Sequence, residues 1–433
     1  MVMNKETKKI VAAMDIGSSK VLAVVAEVYK DGTFRVLGQG RAQSQAIREG
    51  CIVDIDKAQV AVQNAFAEAC RIAHREVREI TINVSGKFLT GIDSSASLPL
   101  KGSHPTLAEM KTVKSMAKDA VPKSDETCLI NFELLYYMLD NQKDEQSEQN
   151  LLEAKGSSIT AYIHGAMASY INASTRVKVI RRSGLEISDI LPEAWASGYA
   201  ALSEEERQNG VVLIDIGEGT TDIAVFKGGS PRFTHTLAYG GRKITEVLAG
   251  YMNCSMKEAE EVKTRLDLRC QPEDEDVVLY RKSPEAGGRK FTKLELSQIV
   301  QREIYQLNNE IGALLLAQDW FTLQNNFPKN RLPGGIVLTG GTALLMGITE
   351  YLQGLIPGPW AYSFHARLGH SRYDGDGCIG LNSPKESVVM GMIAYEAHRF
   401  KLGEDDDTVD DADDSSWLAK IKRGVVEFFI GQY

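Results

Sequence analysis

A short motif occurs twice in this chain, 200 residues apart, and it constrains the fold more than any other feature of the sequence. Residues 9–20 read KIVAAMDIGSSK, and residues 211–222 read VVLIDIGEGTTD. In each copy an apolar run ends in Asp-Ile-Gly and a turn of small residues, and a second apolar run follows at 21–28 and 223–226. This pattern predicts a β-hairpin. Because a solenoid repeats every ~20–50 residues, a motif that recurs once at this distance predicts two similar halves around a cleft.

The charge of the chain is distributed unevenly. The 49 Lys and Arg residues and 58 Asp and Glu residues give a net charge of −9. Residues 404–414 contain eight acids and no base, and residues 417–433 contribute +2, so residues 1–403 contribute only −3. A nearly neutral body argues against a nucleic-acid partner, because phosphate backbones are bound by clustered Lys and Arg.

The remaining composition is that of a globular protein with more than one domain. Of its 433 residues, 43% are hydrophobic and 25% are charged, which is enough to bury a full core. The six cysteines are scattered without a C-x-x-C pair, as expected for reduced thiols in the cytosol. We find no secretory signal and no apolar stretch of membrane-spanning length, so we expect any membrane contact to be made at the surface.

Three Gly-rich turns have the composition of a polyphosphate site, in which backbone N–H groups face the ligand and small residues let the chain approach it. The first turn is Gly17, Ser18 and Ser19, followed by Lys20, whose charge would reach the terminal phosphates. The second turn is Gly217, Glu218, Gly219, Thr220 and Thr221. The third is Gly340, Gly341 and Thr342, which precede a predicted helix at 343–355 and would lie against the adenosine and α-phosphate.

Each turn alone has a simpler explanation as a tight turn. All three in order, together with the repeated motif, favour a nucleotide site. Asp15 and Asp215, at the ends of the two apolar runs, would hold Mg²⁺, mainly through water. The Walker pattern is absent, and no G-x-G-x-x-G follows either run, which argues against P-loop and Rossmann folds.

The three turns resemble a known superfamily. DIGSSK, IDIGEGTTD and GIVLTGGTALLMGI resemble the phosphate-1, phosphate-2 and adenosine motifs of the actin/Hsp70/sugar-kinase superfamily. DIGSSKVLAVVAEV, VSGK at 84–87 and GIVLTGG at 335–341 resemble more specifically the bacterial cell-division FtsA family, over nearly the whole chain. The resemblance implies an α/β, actin-like fold: two related halves around a nucleotide cleft, with inserted subdomains and a C-terminal amphipathic helix. It implies ATP and Mg²⁺ as cofactors.

The resemblance also divides the chain into subdomains. They are subdomain 1A at 1–85, 166–195 and 380–402; inserted subdomain 1C at 86–165; subdomain 2A at 196–242 and 306–379; subdomain 2B at 243–305; an acidic linker at 403–415; and a membrane-targeting helix at 416–433.

Three acidic or basic residues, Glu218, Glu193 and Lys263, have two interpretations each. Glu218 replaces the glycine of many relatives and would add a carboxylate near Mg²⁺ or change hydrolysis. Glu193 falls where hydrolytic relatives orient the attacking water, but it is also compatible with a solvent-facing helix start. Lys263 matches a position near the adenine, or is a solvated charge. We expect the chain to be at most a slow ATPase.

The C-terminal segment SWLAKIKRGVVEFFIGQY predicts a short amphipathic helix. At about 100° per residue, one arc contains Trp417, Leu418, Ile421, Val425, Phe428 and Phe429. Lys420 and Arg423 lie opposite this arc, and Lys422 lies beside it. Such a helix suits an anionic lipid surface. The alternative is docking on the body, against which the solvated acidic linker argues.

The family resemblance implies a cytoplasmic adaptor at the inner face of the cell membrane, at the division site. It would polymerise into actin-like filaments and bind the C-terminal peptide of the tubulin-like protein FtsZ in subdomain 2B. The helix at 293–307 would be the seat of that peptide, with Lys293, Arg302 and Glu303 as contacts. Subdomain 1C would recruit later division proteins. The alternatives are a PilM-like pilus-assembly adaptor, and a kinase or phosphohydrolase of the same superfamily.

Overall fold

A computed structural model describes residues 8–140, 148–275, 277–282, 288–318, 332–355, 365–373 and 377–403, with residue 320 and the pairs 323–324 and 327–328. The strands are β1 Lys8–Ile16, β2 Lys20–Tyr29, β3 Phe34–Gln43, β4 Ile47–Arg48, β5 Cys51–Ile52, β6 Glu79–Val84, β7 Thr90–Pro99, β8 Thr127–Leu139, β9 Ser158–Ser169, β10 Glu186–Pro192, β11 Val211–Ile216, β12 Thr221–Lys227, β13 Ser230–Leu237, β14 Val278–Arg281, β15 Lys290–Thr292, β16 Leu323–Gln324, β17 Phe327–Pro328, β18 Ile336–Thr339 and β19 Ala366–Leu368. The helices are α1 Ile55–Ala73, α2 Leu107–Asp119, α3 Glu148–Glu153, α4 Tyr170–Arg182, α5 Glu193–Ala201, α6 Glu204–Asn209, α7 Gly241–Met252, α8 Met256–Lys263, α9 Lys293–Ala317, α10 Ile348–Leu355 and α11 Ser387–Leu402.

The two copies of the sequence motif begin two sheets of the same topology. The first sheet has the order β3-β2-β1-β6-β10, and the corresponding part of the second has the order β13-β12-β11-β18-β19. In each, the first three strands form an antiparallel meander. The last two run parallel to the first strand of the motif. The repeat in the sequence is therefore a repeat of structure.

The second sheet continues into the segment that lies between the two motifs. Strands β7, β9 and β8 follow β13 in the sheet order, and Thr90 pairs with His235 at the junction. Helix α2 packs on these three strands around a small apolar core. The segment between the motifs is thus joined by its sheet to the second half.

The first sheet is buried on both faces. Val21, Ala23 and Val25 of β2 face one core, which α1 and α4 cover, while alternate residues Leu22 and Val24 face a second core covered by α5 and α11. Successive strand residues point to opposite faces, so a continuous apolar run is what a doubly covered strand requires. Within the described residues, no helix is long and apolar enough to cross a membrane.

The helix predicted directly after the third turn begins later than expected. The sequence indicates a helix over residues 343–355, but Thr342–Leu344 forms a single 3₁₀ turn and α10 begins only at Ile348. Two features separate them: Gly347 has φ +77°, and the backbone of Met346 pairs with that of Asp267 and Leu268. This tertiary pairing overrides the local helical pattern, so the prediction for 343–347 was wrong.

Helices α5 and α11 cross in direct contact. A Cβ atom on Gly391 would overlap the carbonyl oxygen of Ala196, so the helix backbones approach each other directly at this position. A glycine is required here for close packing rather than for an unusual φ angle.

We therefore expect Gly391→Ala to lower the free energy of unfolding by about 1–3 kcal/mol or more, the usual cost of overpacking. The matched control is Gly250→Ala in α7. Gly250 is exposed and no atom lies within 4 Å of an added Cβ, so alanine should raise stability by about 0.5–1 kcal/mol. Urea denaturation measures both changes, and equal effects at the two positions would contradict the close helix crossing.

Candidate functional site

The first two predicted turns have the same geometry. Gly17 N donates to Lys20 O at 2.9 Å, and Gly217 N donates to Thr220 O at 2.9 Å. The turns also lie near each other, because a Cβ on Gly219 would be 3.1 Å from Ser18 Oγ. The structure therefore brings the two copies of the motif together from opposite halves.

The third turn lies against the second. Thr342 Oγ1 donates to Gly217 O at 2.9 Å. Gly340 has φ +87°, and a Cβ there would be 2.5 Å from Asp215 Oδ1, so only glycine fits. Its neighbour Gly341 has only Lys385 within 4 Å of an added Cβ. Because α10 begins only at Ile348, the third turn offers its own backbone, and not the N-terminus of an α-helix, to a ligand.

Four carboxyl groups are buried or partly buried around these turns. Burial raises the pKa of Asp15 and of Asp215 to about 6 each, and the neighbouring acids Asp215 and Asp222 add to the two shifts. Burial likewise raises the pKa of Asp222 and, well above its ordinary value, that of Glu193. Burial thus makes the ionised form of each acid costly, and a cation bound nearby would stabilise that form.

Asn83 holds two of these carboxyl groups in place. Its Nδ2 donates to Asp15 Oδ1 at 3.0 Å and to Glu193 Oε1 at 2.6 Å, and its Oδ1 accepts from Ile16 N at 2.8 Å. The side chain of Glu193 therefore lies inside the cluster, and the solvent-facing interpretation was wrong.

The other two carboxyl groups are held by hydroxyl donors. Ser197 Oγ donates to Asp215 Oδ2. Ser85 Oγ and Thr236 Oγ1 donate to Asp222 Oδ1 at 2.8 and 2.6 Å. Ser85 belongs to the VSGK segment, so this segment links the first half to the second through a buried hydrogen bond.

A fully buried arginine supplies positive charge beneath the first turn. Arg176 of α4 donates to Ile16 O at 3.1 Å, to Asn83 O at 3.2 Å and to Gly50 O at 2.9 Å. Burial lowers its pKa, while Glu193 and Asp15 oppose that shift. Arg176 joins the ends of β1 and β6 and partly neutralises the acids.

The donor set fits a divalent cation held mainly through water. Four acids face the two cations Arg176 and Lys20, and carboxylate oxygens are the ligands that Mg²⁺ prefers. In the part of the chain that the structure describes, no three acidic, imidazole or thiol groups converge closely enough to bind a metal directly. Asp15 and Asp215 would then act through intervening water molecules.

Two predicted phosphate-site residues form ion pairs within the protein. Lys20 Nζ donates to Glu386 Oε1 at 3.0 Å and to Lys385 O at 2.7 Å, at the start of α11. Glu218 Oε1 lies 3.4 Å from Arg242 Nη1, so its carboxylate pairs with α7 instead of joining the acidic cluster.

Lys263 is buried, so its interpretation as a solvated charge was wrong. Its Nζ donates to Gly241 O at 3.0 Å and to Thr245 Oγ1 at 2.9 Å, and it pairs with Glu260 at 2.7 Å. Lys263 thereby fixes the first turn of α7, and Gly241 also packs against Thr342 of the third turn.

The three predicted partner contacts on α9 differ in whether they already pair within the protein. Lys293 pairs with Asp274 at 3.0 Å, and Glu303 Oε2 accepts from Tyr239 Oη at 2.5 Å. Arg302 is exposed and forms no ion pair with the described residues.

The predicted membrane residues Trp417, Leu418, Lys420, Ile421, Lys422, Arg423, Val425, Phe428 and Phe429 lie outside the described residues.

Several site residues were not predicted from the sequence. Asn83, Arg176, Asp222 and Glu386 reach the site from β6, α4, β12 and the segment before α11. Asp222 and Asn83 stand at the edge of motifs that were recognised, so the motifs could have indicated them. Arg176 and Glu386 lie in helical or connecting segments with no local signal.

Two family models match the chain. The model described as "Cell division protein FtsA" matches residues 212–391. The model described as "Type IV pilus assembly protein PilM" matches residues 13–280, more than half of the chain.

Curated relatives are similar over most of the chain. Cell division protein FtsA of Pseudomonas aeruginosa is 29% identical over 398 residues, covering 90% of each chain. FtsA of Escherichia coli K12 is 29% identical over 403 residues, covering 92% of each. The predicted resemblance to FtsA is thus confirmed along nine-tenths of the chain.

Solved structures confirm the predicted actin-like fold. A PilM-PilN type IV pilus biogenesis complex matches with a TM-score of 0.57 at 16% identity, covering 90% of this chain and 98% of that chain. MreB 5 of Spiroplasma citri bound to AMPPNP matches at 0.54 and 14%, covering 92% and 99%. The MamK double helical filament matches at 0.51 and 13%, covering 89% and 98%.

The central position of Asn83 leads to a stability prediction. Asn83→Ala leaves buried acceptors unpaired and should cost about 1–3 kcal/mol. Asn83→Asp removes the same donors and adds a buried charge beside two acids, so it should cost about 3–5 kcal/mol at pH 7.5.

Urea denaturation at pH 7.5 and pH 5.5 measures both costs. The excess cost of aspartate should shrink at the lower pH, because protonation of the new carboxyl removes its charge. An excess that does not change with pH would contradict a purely electrostatic origin.

Proposed function

Because the chain belongs to the FtsA/PilM family of actin-like proteins, and its relatives over nine-tenths of its length are cell division proteins, we propose that it attaches FtsZ filaments to the inner face of the cell membrane in an ATP-dependent way. It is an actin-like cell-division protein. The observation that best supports the proposal is the meeting of three small-residue turns around a cluster of buried acids.

The proposed ligand of this cleft is ATP with Mg²⁺. The first two turns would receive the phosphates, and Lys20 would pair with the terminal ones. Asp15 and Asp215 would hold Mg²⁺ through water, and the bound ion would neutralise phosphate charge. Gly340, Gly341 and Thr342 would lie against the adenosine, with Lys263 supporting them through Gly241.

Hydrolysis would be slow. Glu193 would be the residue that orients water, but burial and the nearby acids raise its pKa well above the ordinary range. A protonated carboxyl group cannot accept a proton from water, which limits its use as a base. This supports a scaffold whose nucleotide controls assembly, and it argues against the kinase or phosphohydrolase alternative.

Membrane attachment would depend on the segment after α11. Helix α11 ends at Leu402 and is capped by Gly403, whose φ is +75°. The acidic run and the basic, aromatic segment 416–433 follow in the sequence. One short amphipathic helix binds lipid only marginally, so stable attachment needs many copies on one filament. The likeness in fold to the MamK filament supports such assembly.

The FtsZ peptide would bind on α9 beside Arg302. Tyr305, one turn further along, is 47% exposed, so the helix presents a cation and an aromatic ring on one side. Lys293 and Glu303 are engaged inside the protein and would contribute less than Arg302. Residues 86–165 would receive later division proteins.

A PilM-like pilus adaptor is the second candidate, because the PilM family model matches more of the chain than the FtsA model. Binding of FtsZ and attachment to lipid through the tail would separate the two functions.

A reconstitution tests the main proposal. FtsZ filaments should sediment with anionic liposomes only when the full chain and ATP are both present. A chain ending at Gly403 should still bind ATP but should leave FtsZ in the supernatant, since it lacks the basic, aromatic segment. Liposomes of neutral lipid are the control. Sedimentation of FtsZ with the truncated chain would refute the proposed anchor.

A charge reversal tests the proposed FtsZ seat. Arg302→Glu should weaken binding of an FtsZ C-terminal peptide by about three- to tenfold, the net loss expected for one ordinary hydrogen bond. Arg75→Glu, an exposed arginine after α1, is the matched control and should leave affinity unchanged. Fluorescence anisotropy measures both, and equal losses would place the peptide elsewhere.

A further inference from the structure

The short turn Pro384–Glu386 before α11 contacts two of the three nucleotide turns. Lys20 of the first turn donates to Lys385 O and Glu386 Oε1 at 2.7 and 3.0 Å. Gly340 N of the third turn donates to Pro384 O at 3.1 Å. We propose that Glu386 is a positioning residue that competes with the β- and γ-phosphates for Lys20. This inference rests on the proposed nucleotide site.

Glu386 has the features of a carboxylate built to share a cation. It is 3% exposed, and its Oε1 accepts from both Lys20 and Arg41 at 3.0 Å each. Its Oε2 is buried and has no hydrogen-bond partner among the described residues. Because two cations pair with the same oxygen atom, one can leave while the other still compensates the charge. A buried carboxylate without any cation would be strongly destabilised.

Arg41 is the cation that stays. Its Nη2 also donates to Gly380 O at 2.9 Å, and its rigid guanidinium is fixed by two acceptors at once. When Lys20 turns to a phosphate, Arg41 still pairs with Glu386. Lys20 is less exposed than Arg41, at 20% against 44% of the side chain, but its flexible four-carbon stem lets the ammonium group exchange one anionic partner for another.

The competition assigns opposite effects to the two partners of Lys20. Without the charge of Glu386, Lys20 is released and polyphosphate should bind more tightly. Without Arg41, Glu386 depends on Lys20 alone and should hold it more firmly, so polyphosphate should bind more weakly. A merely structural role would weaken binding in both variants.

Isothermal titration with ATP and with AMP tests the assignment. Glu386→Gln should tighten ATP binding by about three- to tenfold, the net value of one ordinary hydrogen bond, and Arg41→Ala should weaken it by a similar factor. AMP lacks the β- and γ-phosphates, so its affinity should not change in either variant. Adding Lys20→Ala should abolish both effects on ATP.

The matched control is Glu396→Gln. Glu396 is another buried glutamate, within α11, but it accepts from Thr81 and has no contact with Lys20. Its substitution should leave ATP affinity unchanged.

The outcomes separate this inference from the proposed function. If the unmodified chain does not bind ATP, the proposed nucleotide site is wrong. If it binds ATP and Glu386→Gln and Arg41→Ala both weaken binding, or the effects persist without Lys20, the competition is refuted. If Glu386→Gln fails to fold by circular dichroism, Arg41→Ala alone and with Lys20→Ala decides the question.

Discussion

Buried negative charge at the junction of the two halves is the constraint on which the rest of the structure depends. Asp15, Asp215 and Asp222 are each less than 10% exposed, and taking a carboxylate out of water is costly unless donors or cations compensate it. The compensating groups come from elements far apart in sequence. Asn83 lies 68 residues from Asp15, and Ser85 lies 137 residues from Asp222. Satisfying these acids therefore fixes the relative positions of β1, β6, α5 and β12.

The two halves share a strand order but contribute differently to the cleft. The first turn is followed by a lysine, and beneath it lies the buried Arg176. The second turn has no lysine, and the second residue of its strand β12 is a further acid, Asp222, directly opposite Asp215. Positive charge thus comes from the first half, whereas the four acids are divided equally, with Asp15 and Glu193 from the first half and Asp215 and Asp222 from the second. Such asymmetry suits a ligand that is itself a chain of phosphates with a metal ion at one end.

The sequence predicted those parts of the site that depend on local chemistry. Asp-Ile-Gly followed by small residues dictates a tight hairpin in any context, so both turns and their shared hydrogen bond were predictable. Their meeting was predictable only from the repeat. Arg176 and Glu386 could not be found in this way, because their roles arise from contacts spanning 160 and 366 residues. Long-range hydrogen bonds of buried polar groups leave no periodic pattern in a sequence.

The same distinction explains two of the errors of local interpretation, at residues 343–347 and at Lys263. Residues 343–347 have helical composition, but the pairing of Met346 with residues 267 and 268 prevents a continuous helix there. Lys263 sits in a charged helix that looks solvated, yet its ammonium group is buried and donates to Gly241 O and Thr245 Oγ1. In both cases a hydrogen bond to a backbone group in another segment outweighed the local preference.

Hydrogen bonds connect the cleft to α9 and to the start of α11, the two helices on which the proposed function depends. From the second turn, Thr221 Oγ1 donates to Tyr239 O at 2.7 Å, and Tyr239 Oη donates to Glu303 of α9 at 2.5 Å. From the first turn, Lys20 reaches Glu386 at the start of α11. Helix α9 offers the proposed seat of FtsZ, and α11 leads to the segment proposed to bind lipid. A ligand that rearranged both turns would therefore act on partner binding and on membrane attachment through separate contacts, so the two responses need not rise and fall together.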